Sequence, residues 1–104
     1  MSSLTEKVYT LLSRVPKGRV TTYKALAQAA GTRSYRAVGQ ILRHNPYAPK
    51  VPCHRVVSSD GSIGGFMGKT SGSAIRKKIA LLRAEGVETK GNTIVHFHKI
   101  LFIF

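Results

Sequence analysis

Cysteine is almost missing from this chain of 104 residues: Cys53 stands alone, so no disulfide can form within it. No charged and then apolar leader precedes a cleavage site at the amino terminus, and no apolar run reaches the ~20 residues that a spanning helix requires. The most apolar stretch, "TIVHFHKILFIF", is interrupted by His96, His98 and Lys99 and is expected to pack as strand or core. Together these absences predict an intracellular, reduced protein with no membrane span. There is no internal repeat and no low-complexity tract, and 42% of residues are hydrophobic, which argues for a folded globule rather than a disordered tail. At this length one domain over 1–104 is expected, burying roughly 60–70% of the surface its unfolded chain exposes.

Acidic residues are nearly missing too. Four Asp and Glu face seventeen Lys and Arg, leaving a formal charge of +13 on a small body. Such a field attracts polyanions, and nucleic acid is the first partner to expect, with a membrane surface as the lesser alternative. The four histidines and one cysteine lack the spacing of a zinc site, and His96 and His98 would share one face of a terminal strand.

What is present is mainly helical. Ser3 and Glu6 have capping-box spacing, and Leu4, Val8, Leu11, Leu12 and Val15 recur with helical period until Pro16. Thr21 or Thr22 is placed to cap "YKALAQAA", and Gly31 to end it. A further helix, "SYRAVGQILRHN", follows after three or four residues and runs to Pro46, the outline of a helix-turn-helix. Arg33, Arg36 and Arg43 lie on or beside this second helix. Gly39 costs it about 1 kcal/mol relative to alanine. With Ala37 it leaves a face nearly without bulk, suited either to close approach to a DNA groove or to tight packing on a neighbouring helix. From Tyr47 to Lys69 the chain is rich in Pro, Gly and Ser, the composition of a functional loop. "SGSAIRKKIALLRAEG" reads as the last helix, with Ile75, Ile79 and Leu82 on one face, and Gly91-Asn92 as a turn into a terminal strand.

Cys53 falls within the long loop, in "VPCHRVV". A lone cysteine is commonly inert core, but a thiol with a basic or cationic neighbour becomes a nucleophile, and His54 and Arg55 are such neighbours. Adjacent residues often point apart, so His54 reaches Cys53 through a bridging water or else serves the backbone. Glu85, at the carboxyl end of the last helix, opposes the helix dipole. It is either a solvated acid or the group that orients a histidine in a nucleophile-base-acid relay.

Four ordered segments, "GRVTTYKALAQAAG", "YRAVGQILRHNP", "VPCHRVVSSDGSIGGF" and "LLRAEGV", resemble the DNA-binding, active-site domain of the O6-alkylguanine-DNA alkyltransferases. The resemblance implies a winged helix-turn-helix with a short C-terminal β element. It would bind double-stranded DNA containing O6-alkylguanine through the minor groove, as a monomer without cofactor or metal. The damaged guanine would be flipped out and its alkyl group moved irreversibly to Cys53. Residue by residue, it implies that Arg36 fills the space left by the base, that Ala37 and Gly39 face the groove, and that Tyr23 turns the 3′ phosphate and assists base protonation. Asn45 would hold the active-site turn, and His54 and Glu85 would be the water-linked base and its orienting acid. Val56, Val57, Phe66 and Met67 would belong to the guanine pocket.

The chain departs from that pattern in three places. The family's usual amino-terminal domain is expected to be absent ahead of the first helix, as in either a minimal natural form or a shortened chain. Phe66 stands where a tyrosine is usual, and Met67 is bulkier than the common small residue. The stretch from Lys69 to Ser73 is longer than usual, and the Glu85 assignment depends on that loop absorbing the difference. The main rival expectation is an alkyltransferase-like damage sensor, a class that binds alkylated DNA without transfer and lacks the cysteine. A cysteine hydrolase and a plain winged-helix regulator remain as further alternatives. The hydrolase reading has no oxyanion hole assignable from sequence and leaves the +13 charge unexplained.

Overall fold

The computed structural model describes residues 3–48, 50–66, 68–69 and 72–104. Helix α1 spans Leu4–Leu12, and the Ser3 hydroxyl accepts from the backbone N–H of Glu6 at 3.1 Å. The helix stops three residues short of Val15, which is nevertheless buried. A two-residue strand β1, Thr21–Thr22, leads directly into α2, Tyr23–Ala29, where the Thr22 hydroxyl accepts from Ala25 N–H at 3.0 Å. Helix α3, Tyr35–Arg43, begins after residues 30–34, and its Ser34 cap accepts from Ala37 N–H at 3.0 Å. Each cap satisfies an N–H that the first helical turn would leave orphaned.

Val8 and Leu12 of α1, Leu26 and Ala27 of α2, and Val38 and Leu42 of α3 meet in one core. A fully buried Leu or Val of this kind contributes about 1.5–3 kcal/mol. After α3, a 3-10 turn at Cys53–Arg55 runs into β2, Val56–Val57, which pairs parallel with β1, Thr21 opposite Val56 and Thr22 opposite Val57. That short parallel ladder ties the segment leading into α2 to the one that follows the cysteine turn. Tyr23 leaves β1 at its carboxyl end and the cysteine turn enters β2 at its amino end, and the two side chains meet across the ladder at one cavity.

Helix α4, Ser73–Ala84, buries Ile75, Lys78 and Leu82, with Glu85 as its C-cap. Strands β3, Thr89–Lys90, and β4, Thr93–Ile94, then form an antiparallel hairpin. The expected terminal strand is corrected here. Gly91-Asn92 is the hairpin's two-residue turn, with Gly91 at φ 57°, a left-handed conformation that such turns require. His96, itself left-handed at φ 55°, breaks the extended run and opens a short helix α5, Phe97–Ile100. His96 and His98 therefore do not share a strand face. Beyond α5, Leu101 bridges Val20 in parallel, and Arg19 donates to the carbonyls of Ile100 at 3.0 Å and Leu101 at 2.8 Å. No helix among the described residues is long and apolar enough to cross a membrane.

Candidate active site and nucleic-acid interface

Cys53 is 5% exposed and lines a cavity of about 320 Å³. Tyr23 of α2, Tyr35, Gly39 and Arg43 of α3, and Phe66 line the same space. The approach to the cysteine is held by Asn45, itself buried. Its Nδ2 donates to the Val51 carbonyl at 2.8 Å and its Oδ1 accepts from Tyr47 N–H at 2.9 Å. Cys53 N–H in turn donates to Val51 O at 2.9 Å. One asparagine thus clips both ends of the loop that delivers the thiol.

Behind the turn, His54 is buried and its Nε2 lies 3.1 Å from Glu85 Oε2. The larger grip on the acid is Arg55: Nε donates to Glu85 Oε1 at 3.0 Å, Nη2 to Oε2 at 2.6 Å, and Nη1 to the Val15 carbonyl at 2.7 Å. Burial alone would raise the Glu85 carboxyl, but hydrogen bonds from Arg55 and His54, and their charge, hold it below its ordinary value. An ionised carboxylate only accepts, so the His54 nitrogen facing it, Nε2, carries the proton and Nδ1 is left as the ring's acceptor. Burial pushes the His54 pKa below its usual value although Glu85 pulls it upward, so the imidazole is neutral at pH 7 and able to take a proton.

Tyr23 donates its hydroxyl to the Gly65 carbonyl at 3.3 Å. Burial, and secondarily Cys53, raise its pKa, so it keeps its proton at neutral pH. The outer face of α3 is basic and low in relief: Arg36 and Arg43 are exposed, with Ala37 and Gly39 half-buried between them. A Cβ built on Gly39 meets nothing within 4 Å, so its missing side chain is not required by packing on another helix. The space it leaves opens outward. Arg33 lines a second hollow of about 550 Å³ in front of the helix-turn-helix, and Tyr35 forms a wall common to both cavities.

The sequence model of the 6-O-methylguanine DNA methyltransferase DNA-binding domain matches residues 3–87. The chain belongs to this family. The methylated-DNA–protein-cysteine methyltransferase of Archaeoglobus fulgidus is 44% identical over 89 residues, covering 83% of this chain and 58% of that protein. The protein of the same name from Pyrobaculum aerophilum is 49% identical over 72 residues, covering 69% and 45%. The chain spans about half the length of these curated relatives. Among solved structures, S. pombe Atl1 in complex with damaged DNA containing O6-carboxymethylguanine superposes with a TM-score of 0.80 at 27% identity, over 98% of each chain. The O6-methylguanine-DNA methyltransferase of Pyrococcus kodakaraensis gives 0.71 at 45% identity, over 84% of this chain and 48% of that one. The mainly helical fold with its helix-turn-helix and small β elements is that of the alkyltransferase DNA-binding domain.

Of the residues singled out from the sequence for this methyltransferase-family domain, Cys53, Tyr23, Gly39, Arg43 and Phe66 meet at one cavity. Asn45, His54 and Glu85 stand behind it, and Arg36 and Ala37 lie on the helix face beside it. Val56 and Val57 are fully buried in β2 and do not line the cavity. Met67 lies outside the described residues. Two sets of contacts have no counterpart in the sequence reading. Arg55 is the principal partner of Glu85 rather than a neighbour for the thiol, a contact across 30 residues with no local signal.

The other belongs to Lys78, fully buried, whose Nζ donates to the carbonyls of Val56 at 2.7 Å, Ile63 at 2.6 Å and Gly65 at 2.9 Å. Burial drives its pKa down to about 7, while attraction to the Cys53 thiolate works the other way. Its three donors tie β2 to the loop that forms one cavity wall, and the Gly65 carbonyl takes bonds from both Lys78 and Tyr23. A signal for it existed: Lys78 falls at helical spacing between Ile75 and Leu82, on the face that must be apolar.

Proposed function

We propose that this chain repairs duplex DNA by moving an alkyl group from O6 of guanine to its own Cys53, once per molecule. The observation that carries this reading is a thiol set in the wall of a cavity whose adjacent wall is the low-relief, basic face of α3. A base inside a duplex cannot reach such a thiol, so it must be extruded, and O6-alkylation, by weakening pairing, lowers that cost of a few kcal/mol. Arg36, exposed early in α3, takes the place of the extruded base, while Ala37 and Gly39 allow the helix to sit close to the minor groove. Tyr23, which keeps its proton, offers a hydrogen bond to the base as it departs.

In the cavity the Cys53 proton passes through a bridging water to His54 Nδ1, whose opposite nitrogen is held by Glu85. The thiolate attacks the sp3 carbon on O6 in line. A C–S bond forms as the C–O6 bond breaks, the electron pair remains on guanine, and guanine leaves after taking up a proton. The product is a thioether, which has no electrophilic carbonyl for water to attack. Regeneration therefore has no route within this site, and the protein is consumed.

Binding without transfer is the second reading, supported by the end-to-end match to Atl1 in its complex with damaged DNA. Cys53 in the cavity wall weighs for transfer. Two results test the DNA half. Duplex affinity should fall with salt with a log–log slope of about −3 or steeper, as expected if Arg33, Arg36 and Arg43 neutralise phosphates; a flat titration removes DNA as the partner. Arg36→Ala should slow repair of a duplex about tenfold or more, corresponding to an extrusion cost of about 1.4 kcal/mol or more, yet change transfer from the free modified base much less. Equal losses on the two substrates would exclude extrusion as its task.

A further inference from the structure

The Gly65 carbonyl joins three parts of the chain at the cavity. It accepts from the Tyr23 hydroxyl of α2 at 3.3 Å and from Lys78 Nζ of α4 at 2.9 Å. Gly65 and Tyr23 line the cavity together with Cys53. The proposed transfer asks Tyr23 to turn its hydroxyl toward the departing base, and a hydroxyl has one proton to give. Donating it to the base withdraws it from Gly65. A carbonyl left without a donor, with a base filling the space beside it, carries the desolvation cost of an unpaired acceptor. Lys78 removes that cost, because its own bond to Gly65 stays when the tyrosine's leaves. Lys78 is fully buried and also donates to Val56 O at 2.7 Å and Ile63 O at 2.6 Å, so all three protons of an ammonium are engaged. A buried charge is a poor way to gain stability where an apolar side chain of similar size would pack. Holding β2 to the loop therefore does not by itself account for a lysine on this face of α4.

We propose that Lys78 is a positioning residue for the transfer: it keeps the Gly65 carbonyl, and with it the wall of Gly65 and Phe66, in place while the Tyr23 hydroxyl moves from that carbonyl to the base. This inference rests on the alkyl-transfer reading. Lys78 touches neither the base nor the alkyl group and acts through Gly65. Its protonation state matters because a neutral amine has only two protons to donate. Burial brings its pKa down to about 7, so the third proton is lost as pH rises through that value. Val56 and Ile63, bonded at the shorter distances, keep the two that remain, and Gly65 is released. The ionisable groups that face Lys78 are Cys53 and His54 of the cysteine turn, and Tyr23 across the shared carbonyl.

The test compares the wild type with Tyr23→Phe, which has no hydroxyl to move. Methyl transfer from a duplex containing O6-methylguanine is measured in single turnover at saturating protein, across pH values on both sides of the Lys78 transition. Ionisation of Cys53 and His54 acts on both proteins and cancels in the ratio of their rates. That ratio, wild type over Tyr23→Phe, is expected to fall about three- to tenfold as pH rises through about 7, the loss of one hydrogen bond. Lys78→Met should lower the saturated rate about tenfold or more while holding duplex affinity within about twofold, and the double variant with Tyr23→Phe should be no slower than the slower single variant. A ratio that stays flat with pH, or additive losses in the double variant, overturns this inference and leaves alkyl transfer standing. A Lys78→Met chain that loses duplex affinity as well has misfolded, and the pH dependence of the ratio, which needs no change at Lys78, then decides. A wild type that transfers no methyl group at any pH overturns both.

Discussion

Cys53→Ser should lose alkyl transfer by well over ~10³-fold while holding duplex affinity within about twofold of the wild type. The hydroxyl is nearly the same size as the thiol it replaces, so the cavity, the Asn45 clip and the α3 face remain. What the proposed transfer would lose is its nucleophile, because a serine hydroxyl is a far weaker nucleophile than a cysteine thiol. Transfer rate and binding are measured on the same preparation, so a misfolded variant would betray itself by losing both. Retained transfer in the serine variant would move the acceptor to another residue.

Removing Glu85 has the next largest effect, and it acts on stability and rate together. Glu85 is 10% exposed and is shared by Arg55, 15% exposed, and His54, 2% exposed. Glu85→Ala leaves a part-buried guanidinium and a buried imidazole without their carboxylate and should cost about 1–3 kcal/mol, read as a lowered denaturation midpoint. Glu85→Gln keeps the shape and should be milder. The carboxyl's folded pKa lies below its ordinary 4.5, so its stabilising contribution is whole above that pH and is lost as pH falls through the folded value. The stability gap between wild type and Glu85→Gln should therefore close in acid. His54 works in the same direction. Its lowered pKa means that the unfolded chain takes up a proton first as pH drops through 6.5, which also favours unfolding. On rate, Glu85→Gln should slow transfer up to about a hundredfold at neutral pH and recover in part at higher pH, where the thiol needs less help from the imidazole. A variant with unchanged rate at pH 7 would confine Glu85 to holding Arg55.

Local chemistry made much of the helical frame legible. Ser3, Thr22 and Ser34 cap helices because a short side-chain oxygen can satisfy an N–H that the helix cannot, and that is visible in any window of a few residues. The tail packs in the core as expected, but for a related reason its path as other than one strand is not legible locally. The β-branched run after Asn92 has strand propensity, and β4 does form, but the left-handed turn at His96 and the docking of Leu101 on Val20 are decided by tertiary contacts. At the site, Cys53 could be singled out by its neighbours in sequence, and its meeting with Tyr23 at one cavity is a contact between distant segments that no local pattern announces. Arg55 is the clearest case of what a linear reading loses. Beside a cysteine it looks like a group for the thiol, yet its side chain turns away to grip Glu85 and the Val15 carbonyl. Lys78 is legible by contrast, because a charge at the apolar spacing of Ile75 and Leu82 demands buried partners.

Intact mass after reaction with excess duplex containing O6-methylguanine tests the central claim most directly. The expected product is one added methyl per chain, located on the peptide that contains Cys53, with repaired guanine and modified protein formed in equal amounts and no reaction thereafter. Unmodified protein that stays bound to the damaged duplex, more than one guanine repaired per chain, or a methyl group found on any other residue would contradict it.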